Sequence, residues 1–265
     1  MNSCWELFAF DLDGTLLDDT HSLPQEVAAW VPELARKTRV TVATGRSLAS
    51  AQPHVEKLVI NAPAILYHGA VVYDFSSDKS LMTKKIPPPL AHQALDLLAS
   101  WPVSVEAYLG PQDPVVYVWK VDPRVERFSR KERLTLAEAE LRELAEEGIA
   151  KLLVLAPPER LFALAATLSQ QLPQVRVVRS EVDYLELLPP GVDKGEALAW
   201  LCERLRVPLE KVVAVGDQES DLPMIRRAGL GVAMGHAPPQ VRQAADLVVA
   251  TPLQLASLLV EPTVE

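Results

Sequence analysis

The sequence predicts an α/β protein in which a doubly wound parallel sheet is interrupted by a separate, inserted α+β domain. Three observations carry this. Near both ends of the chain, short apolar runs alternate with longer amphipathic segments, the rhythm of parallel strands joined by helices. In the middle, five strand-like runs crowd together with few crossovers between them. Pro87-Pro88-Pro89 and Pro189-Pro190-Gly191 bracket that middle region, as expected of linkers between independently packed units.

Strands of the parallel sheet are expected at residues 7–10, 40–43, 64–67, 212–215, 231–233 and 247–249, all short apolar runs. Helices are expected between them at 25–37, 48–59, 194–205, 222–228 and 239–244. The first should be kinked or split at Pro32, which has no N–H to donate and whose ring clashes with the preceding turn. The middle region reads as strands at 103–108, 115–120, 151–156, 175–179 and 184–188. Its helices are expected at 90–100, 136–147 and 159–172, the last two rich in Ala, Leu and Glu. The inserted domain is therefore placed at residues 83–188, with 1–82 and 189–265 forming the domain that carries it.

With 265 residues and 49% hydrophobic content the chain can bury a large core, and no internal repeat or low-complexity tract interrupts it. A net charge of −9 argues against a nucleic-acid-binding surface, because phosphate backbones are held by Lys and Arg. No uncharged apolar stretch reaches the length of a membrane span, and the first residues lack a signal-peptide pattern. The two cysteines, Cys4 and Cys202, have no metal spacing and read as buried thiols in a reducing compartment. A soluble, cytoplasmic protein is the expectation. Its oligomeric state is not readable from the sequence.

Four constellations carry chemistry. Asp11-Leu12-Asp13-Gly14-Thr15 follows the first apolar run, so two carboxylates on alternate positions of an extended chain can aim at one reacting centre while Gly14 turns the chain. Such a pair repels itself unless a cation or a shared proton relieves it. Thr44-Gly45-Arg46 places a hydroxyl and a glycine at a strand end, where backbone N–H groups can hold an anion. Taken alone it reads equally well as a turn. Lys194 opens a helix and would set a compact positive charge there, although a lone lysine is ordinarily a surface group. Gly216-Asp217-Gln218-Glu219-Ser220-Asp221 ends a buried strand in three carboxylates within five residues, oxygen ligands that suit a hard cation such as Mg²⁺, or else a solvated acidic loop.

Together, in this order, these segments resemble the four motifs of the haloacid dehalogenase-like superfamily, specifically the Cof-type phosphatases, whose large α/β cap lies between the second and third motifs. The resemblance covers the whole chain and implies a Rossmann-like core carrying a cap. It implies an Mg²⁺-dependent phosphohydrolase that acts on small phosphorylated metabolites, sugar phosphates foremost. Asp11 would be the nucleophile that forms an aspartyl-phosphate, and Asp13 the acid and base. Thr44, Gly45 and Lys194 would hold phosphoryl oxygens. Asp11, the Asp13 carbonyl and Asp217 would hold the metal, with Asp221 and Ser220 supporting it.

Ser220, His68 and His236 depart from the family's usual residues, which are asparagines. Both histidines read first as structural or surface groups. With Arg46 they are also candidate substrate contacts. The basic run Arg124, Arg127, Arg130, Lys131 and Arg133 is interleaved with Glu126 and Glu132 and reads as a solvated face rather than a second anion site. Trp101, Tyr108, Tyr117 and Trp119 read as packing residues of the inserted sheet. A phosphomutase using the same acids, and a non-catalytic phosphate-binding protein, are the alternatives.

Overall fold

The computed structural model describes residues 5–259. The first segment forms β1 (Leu7–Phe10), α1 (Gln25–Ala35), β2 (Arg39–Val42), α2 (Leu48–Leu58), β3 (Ala64–Leu66), β4 (Val71–Asp74) and β5 (Lys79–Thr83). The middle forms α3 (Pro88–Ala99), β6 (Ser104–Tyr108), β7 (Val115–Val118), α4 (Pro123–Glu132), β8 (Thr135–Glu138), α5 (Leu141–Leu144), β9 (Lys151–Leu155), α6 (Pro158–Gln171), β10 (Arg176–Glu181) and β11 (Tyr184–Leu188). The last segment forms α7 (Lys194–Leu205), β12 (Val212–Gly216), α8 (Leu222–Arg227), β13 (Leu230–Met234), α9 (Pro239–Ala244) and β14 (Leu247–Val249).

Strands β14, β13, β12, β1 and β2 lie side by side in that order, every neighbouring pair parallel. Alternation of side chains along a strand sorts the core into two layers. Phe8 and Phe10, with Val40, Val42, Val213 and Val215, pack against Val27, Val31 and Leu34 of α1 and Val55 and Leu58 of α2. Leu7 and Ala9, with Val212 and Ala214, face Leu198, Leu201 and Cys202 of α7 and Met224 of α8. Both faces of β1 are thus covered, which is why its sequence is a continuous apolar run. The strand ends of this sheet therefore open onto loops at one rim, where ligands bind in open α/β sheets.

The middle segment builds a six-stranded mixed sheet ordered β10, β11, β9, β6, β7, β8. Leu152 and Val154 of β9 point to the side covered by α3 and α6, with Leu95, Leu98, Leu161 and Leu164. Leu153 and Leu155 point to the opposite side and join the core that contains Tyr67 and Phe10. Residues in register with them on that side include Glu106 and Glu186, both paired with Leu153. Lys151, two positions from Leu153, shares the face. The inserted sheet thus turns charged side chains toward the rest of the protein.

Several elements differ from the sequence reading. The strand expected at 64–67 touches the parallel sheet through one isolated bridge, Ala43 to Ile65, and otherwise forms an antiparallel three-stranded sheet with β4 and β5. β5 lies at its edge with Lys79 and Ser80 exposed or half-exposed, so its polar composition masks it. Residues 136–147 do not form one helix: β8 pairs in parallel with β7 and only Leu141–Leu144 is α-helical. Edge-strand pairing overrides the Ala-Leu-Glu propensity there. The basic run lies on α4 and, with Arg133, on its C-cap; the N-cap Asp122 accepts from Arg124 N at 2.8 Å and Val125 N at 3.1 Å. α1 runs through Pro32 as a single helix rather than two. Cys202 is buried, whereas Cys4 lies outside the described residues. Among the described residues no helix is long and apolar enough to cross a membrane.

Candidate active site

Asp11 follows β1 directly, its backbone N–H donating to Val215 O at 2.9 Å, which carries the strand pairing one residue past β1 and fixes the side chain at the sheet rim. Lys194 is the first residue of α7, behind an N-cap, Asp193, that accepts from Glu196 N at 2.7 Å. From there the Lys194 ammonium donates to Asp11 Oδ1 at 2.8 Å and to Asp221 Oδ1 at 2.5 Å, with all three side chains buried. The other oxygen of Asp221 accepts from Asp217 N at 3.0 Å and Gln218 N at 2.9 Å, closing the loop after β12. Asp217 in turn accepts from Thr15 Oγ1 at 3.0 Å. Gly14, at φ +76°, passes so close to the Asp217 carboxylate that a Cβ would collide with it.

Thr44 lies at the end of β2, its N–H held by Ile65 O at 2.9 Å and its Oγ1 accepting from Arg46 N at 3.2 Å. Gly45 packs against the His68 imidazole, which a Cβ would strike. His68 is delivered by two consecutive non-glycine residues in the left-handed region, Tyr67 at φ +50° and His68 at +53°, a strained turn of the sort kept at binding sites. Its Nε2 lies 3.1 Å from Glu186 Oε1, and the other Glu186 oxygen lies 2.8 Å from Lys151 Nζ. Lys151 also donates to Gly45 O at 2.9 Å and stands 4.7 Å from the centroid of the Tyr108 ring.

Asp13 lines the same cavity as Asp11, Lys194 and Asp217 but has hydrogen-bond partners of its own. Arg46 donates to both of its oxygens, Nε to Oδ2 at 2.8 Å and Nη2 to Oδ1 at 2.7 Å, and His21 Nδ1 lies 2.8 Å from Oδ1. Arg46, a candidate substrate contact by sequence, is instead committed to Asp13 and, through Nη1, to Ser50 and Glu132. His236 is exposed, with Nε2 3.7 Å from Asp217 Oδ2. One cavity of about 370 Å³ is lined from one domain by Asp11, Thr44 and Lys194 and from the other by Phe128, Lys151 and Tyr184; Ser220, His68 and His236 also border it.

Electrostatics separate the two N-terminal acids. Burial lifts Asp11 well above the usual carboxylate range, the charge of Asp221 adds to this, and Lys194 works against it. Burial and then Asp221 raise Asp217 to about 6. Burial also pushes Asp13 up, but hydrogen bonds from His21 and Arg46 and their charges outweigh it and hold its carboxyl well below the usual range. Burial opposes the charge on Lys194, yet Asp11 and Asp221 prevail and raise its pKa above the ordinary value. Oxygens of Asp11, Asp217 and Asp221 lie within 4.8 Å of one another. Lys194 and two backbone N–H groups occupy Asp221, so Asp11 and Asp217 are the carboxylates with acceptor capacity to spare. Hard oxygen donors whose ionisation is suppressed by burial and mutual repulsion fit a small divalent cation.

Lys151 and Glu186 are not among the candidates the sequence offers, although Lys151 opens an otherwise apolar strand and Glu186 interrupts one, a signal of a buried polar role. His21 and Glu132 carry no such local signal. A model of the haloacid dehalogenase-like hydrolases matches residues 8–255. The chain is 30% identical over 240 residues to the HMP-PP phosphatase of Serratia proteamaculans, across 90% of this chain and 86% of that protein. It is 26% identical to the 5-amino-6-(5-phospho-D-ribitylamino)uracil phosphatase YitU of Bacillus subtilis, across 92% of each. Among solved structures, TM0651 from Thermotoga maritima superposes with a TM-score of 0.79 at 36% identity, across 92% of this chain and 91% of that one.

Proposed function

This chain belongs to the haloacid dehalogenase-like hydrolases, as a Cof-type phosphatase, and on that premise we propose how its own residues cleave a phosphate monoester. Asp11 attacks phosphorus, forming an Asp11–phosphate bond as the bond to the leaving oxygen breaks, and Asp13 gives that oxygen a proton. Asp13 then takes a proton from water, which attacks the same phosphorus and releases inorganic phosphate and free Asp11. Arg46 and His21 keep Asp13 ionised in the form the second step requires, and the approach of a phosphate dianion raises its proton affinity for the first. Thr44, the Gly45 amide and Lys194 hold the remaining phosphoryl oxygens. Asp11, the Asp13 carbonyl and Asp217 would hold Mg²⁺, with Asp221 and Ser220 supporting them. The ion's part is to neutralise phosphate charge against which a carboxylate must move.

The observation that carries this reading is Lys194 bridging Asp11 and Asp221, with Asp217 alongside, at the rim of the parallel sheet. The cavity volume suits small phosphorylated metabolites of the cytoplasm, and Lys151 with Glu186 offers a donor and acceptor suited to sugar hydroxyls. A panel of such esters with Mg²⁺ is expected to release one inorganic phosphate per ester lost. Isomerised sugar phosphate without phosphate release would make the protein a mutase, and inertness toward every ester would leave only a phosphate-binding role.

The raised Asp217 carboxyl gives a second test. Its folded value of about 6 exceeds the ordinary 3.8, so its contribution to stability is complete below 3.8 and is lost as pH rises through 6. A bound divalent cation would take the place of the missing proton. Mg²⁺ at a hundredfold excess over its Kd is expected to stabilise the fold by about 2.7 kcal/mol at pH 7.5. The rise in Tm should shrink as pH falls below 6. An equal rise at pH 5 and 7.5 would place the ion elsewhere.

A further inference from the structure

The Arg46 guanidinium joins two carboxylates that belong to different domains. Its Nε and Nη2 edge grips both oxygens of Asp13, while Nη1 donates to Glu132 Oε2 at 2.5 Å and to Ser50 Oγ at 2.7 Å. Glu132 is the last residue of α4, in the inserted domain, and it accepts from Ser50 Oγ as well. The side chains of Arg46 and Glu132 are each only 9% exposed, whereas that of Asp13 is 34% exposed. The buried end of the bridge is therefore the inserted-domain end.

A guanidinium is planar and rigid, so fixing one nitrogen fixes the direction of the opposite edge. Glu132 thereby sets the plane in which Arg46 presents Asp13. The neighbouring residue is held from the same side, since Lys151 of β9 donates to Gly45 O. Two consecutive residues of the phosphate-binding loop are thus gripped by the inserted domain. Resting on the phosphatase reading above, we propose that Glu132 is a positioning residue, which orients Asp13 through Arg46 only when the inserted domain is seated over the site. Proton delivery to the leaving oxygen is then assembled by closure, and an open site lacks an aligned acid.

The test uses the full-length protein and two esters, an activated aryl phosphate whose leaving group needs no proton and an alkyl phosphate whose leaving group does. For Glu132→Gln, kcat/KM on the alkyl ester is expected to fall about tenfold to a hundredfold, as misplacement of a reacting group by about an ångström does, and on the aryl ester by less than about threefold. In an Arg46→Met background the same substitution should cost nothing further. Glu126→Gln, on the outer face of the same helix, should match the wild type. Glu132→Asp, which keeps the charge, should recover part of the loss. Equal losses on both esters, losses additive with Arg46→Met, or a raised KM with kcat unchanged would overturn the proposal. An active wild type matched by Glu132→Gln overturns this inference alone. A wild type that releases phosphate from no ester overturns the phosphatase reading as well.

Discussion

Asp11→Asn is expected to lower turnover at least about 10⁴-fold, the scale of loss when a covalent nucleophile is removed, while leaving the fold as stable as the wild type or more so. The two halves of this result have separate causes. An amide oxygen is a poor nucleophile and cannot form the phosphorylated intermediate, and the near-identical shape of Asn keeps the contact from Lys194 Nζ available. Stability moves the other way because Asp11 is a buried carboxylate that burial and Asp221 push well above its usual range. Its ionised form is disfavoured in the folded protein, so neutralising it relieves repulsion at pH 7.5. The sign follows from linkage: a carboxyl raised in the folded state contributes most below its ordinary value of 3.8 and loses that contribution as pH rises. The gain of Asp11→Asn in Tm should accordingly fade on acidification. Phosphate release and thermal melts across pH check both halves. Near-normal hydrolysis removes Asp11 from the nucleophile's role.

Asp11 and Asp217 stand out in the sequence because each ends a run of buried apolar residues, where a polar side chain serves no packing purpose, whereas Thr44 reads equally well as a turn until the other motifs accompany it. Lys194 stands out only in company, since a helix-opening lysine is ordinary until the fold places two acids against it. Contacts made across the domain boundary leave weaker traces. Glu132 sits in a run of charges that reads as solvated, and every other member of that run is exposed, Arg130 pairing with Glu126 on the outer side. The inward turn of Glu132 depends on the helix phase of α4, whose few apolar residues, Val125 and Phe128, set it too faintly to read. His21 reaches Asp13 from a loop residue at φ +57°, a conformation no spacing rule predicts.

Lys194→Met is expected to cost both stability and activity, because the ammonium it removes has a different partner for each purpose. The side chain is 2% exposed and lies between Asp11 and Asp221. Taking away the cation leaves two buried carboxylates unpaired, a loss of about 3–5 kcal/mol, or on the order of 10 °C in Tm. Lys194 holds its proton more tightly than a free lysine, so its own contribution is complete below 10.5 and is lost only as pH rises past its higher folded value. Between pH 5 and 9 any pH dependence of the deficit therefore belongs to the raised carboxyl of Asp11 rather than to the ammonium. The deficit should be largest at the alkaline end of that range and shrink as Asp11, whose carboxyl burial lifts well above the usual range, takes up its proton. Adding Asp221→Asn removes one of the two stranded charges and should restore part of the Tm, yet phosphate release should stay about a thousandfold down, since the phosphoryl oxygens still lack their ammonium. Recovery of turnover in the double variant would mean that Lys194 serves only to neutralise Asp221. A single variant melting with the wild type would show that the buried bridge does not hold the two halves of the site together.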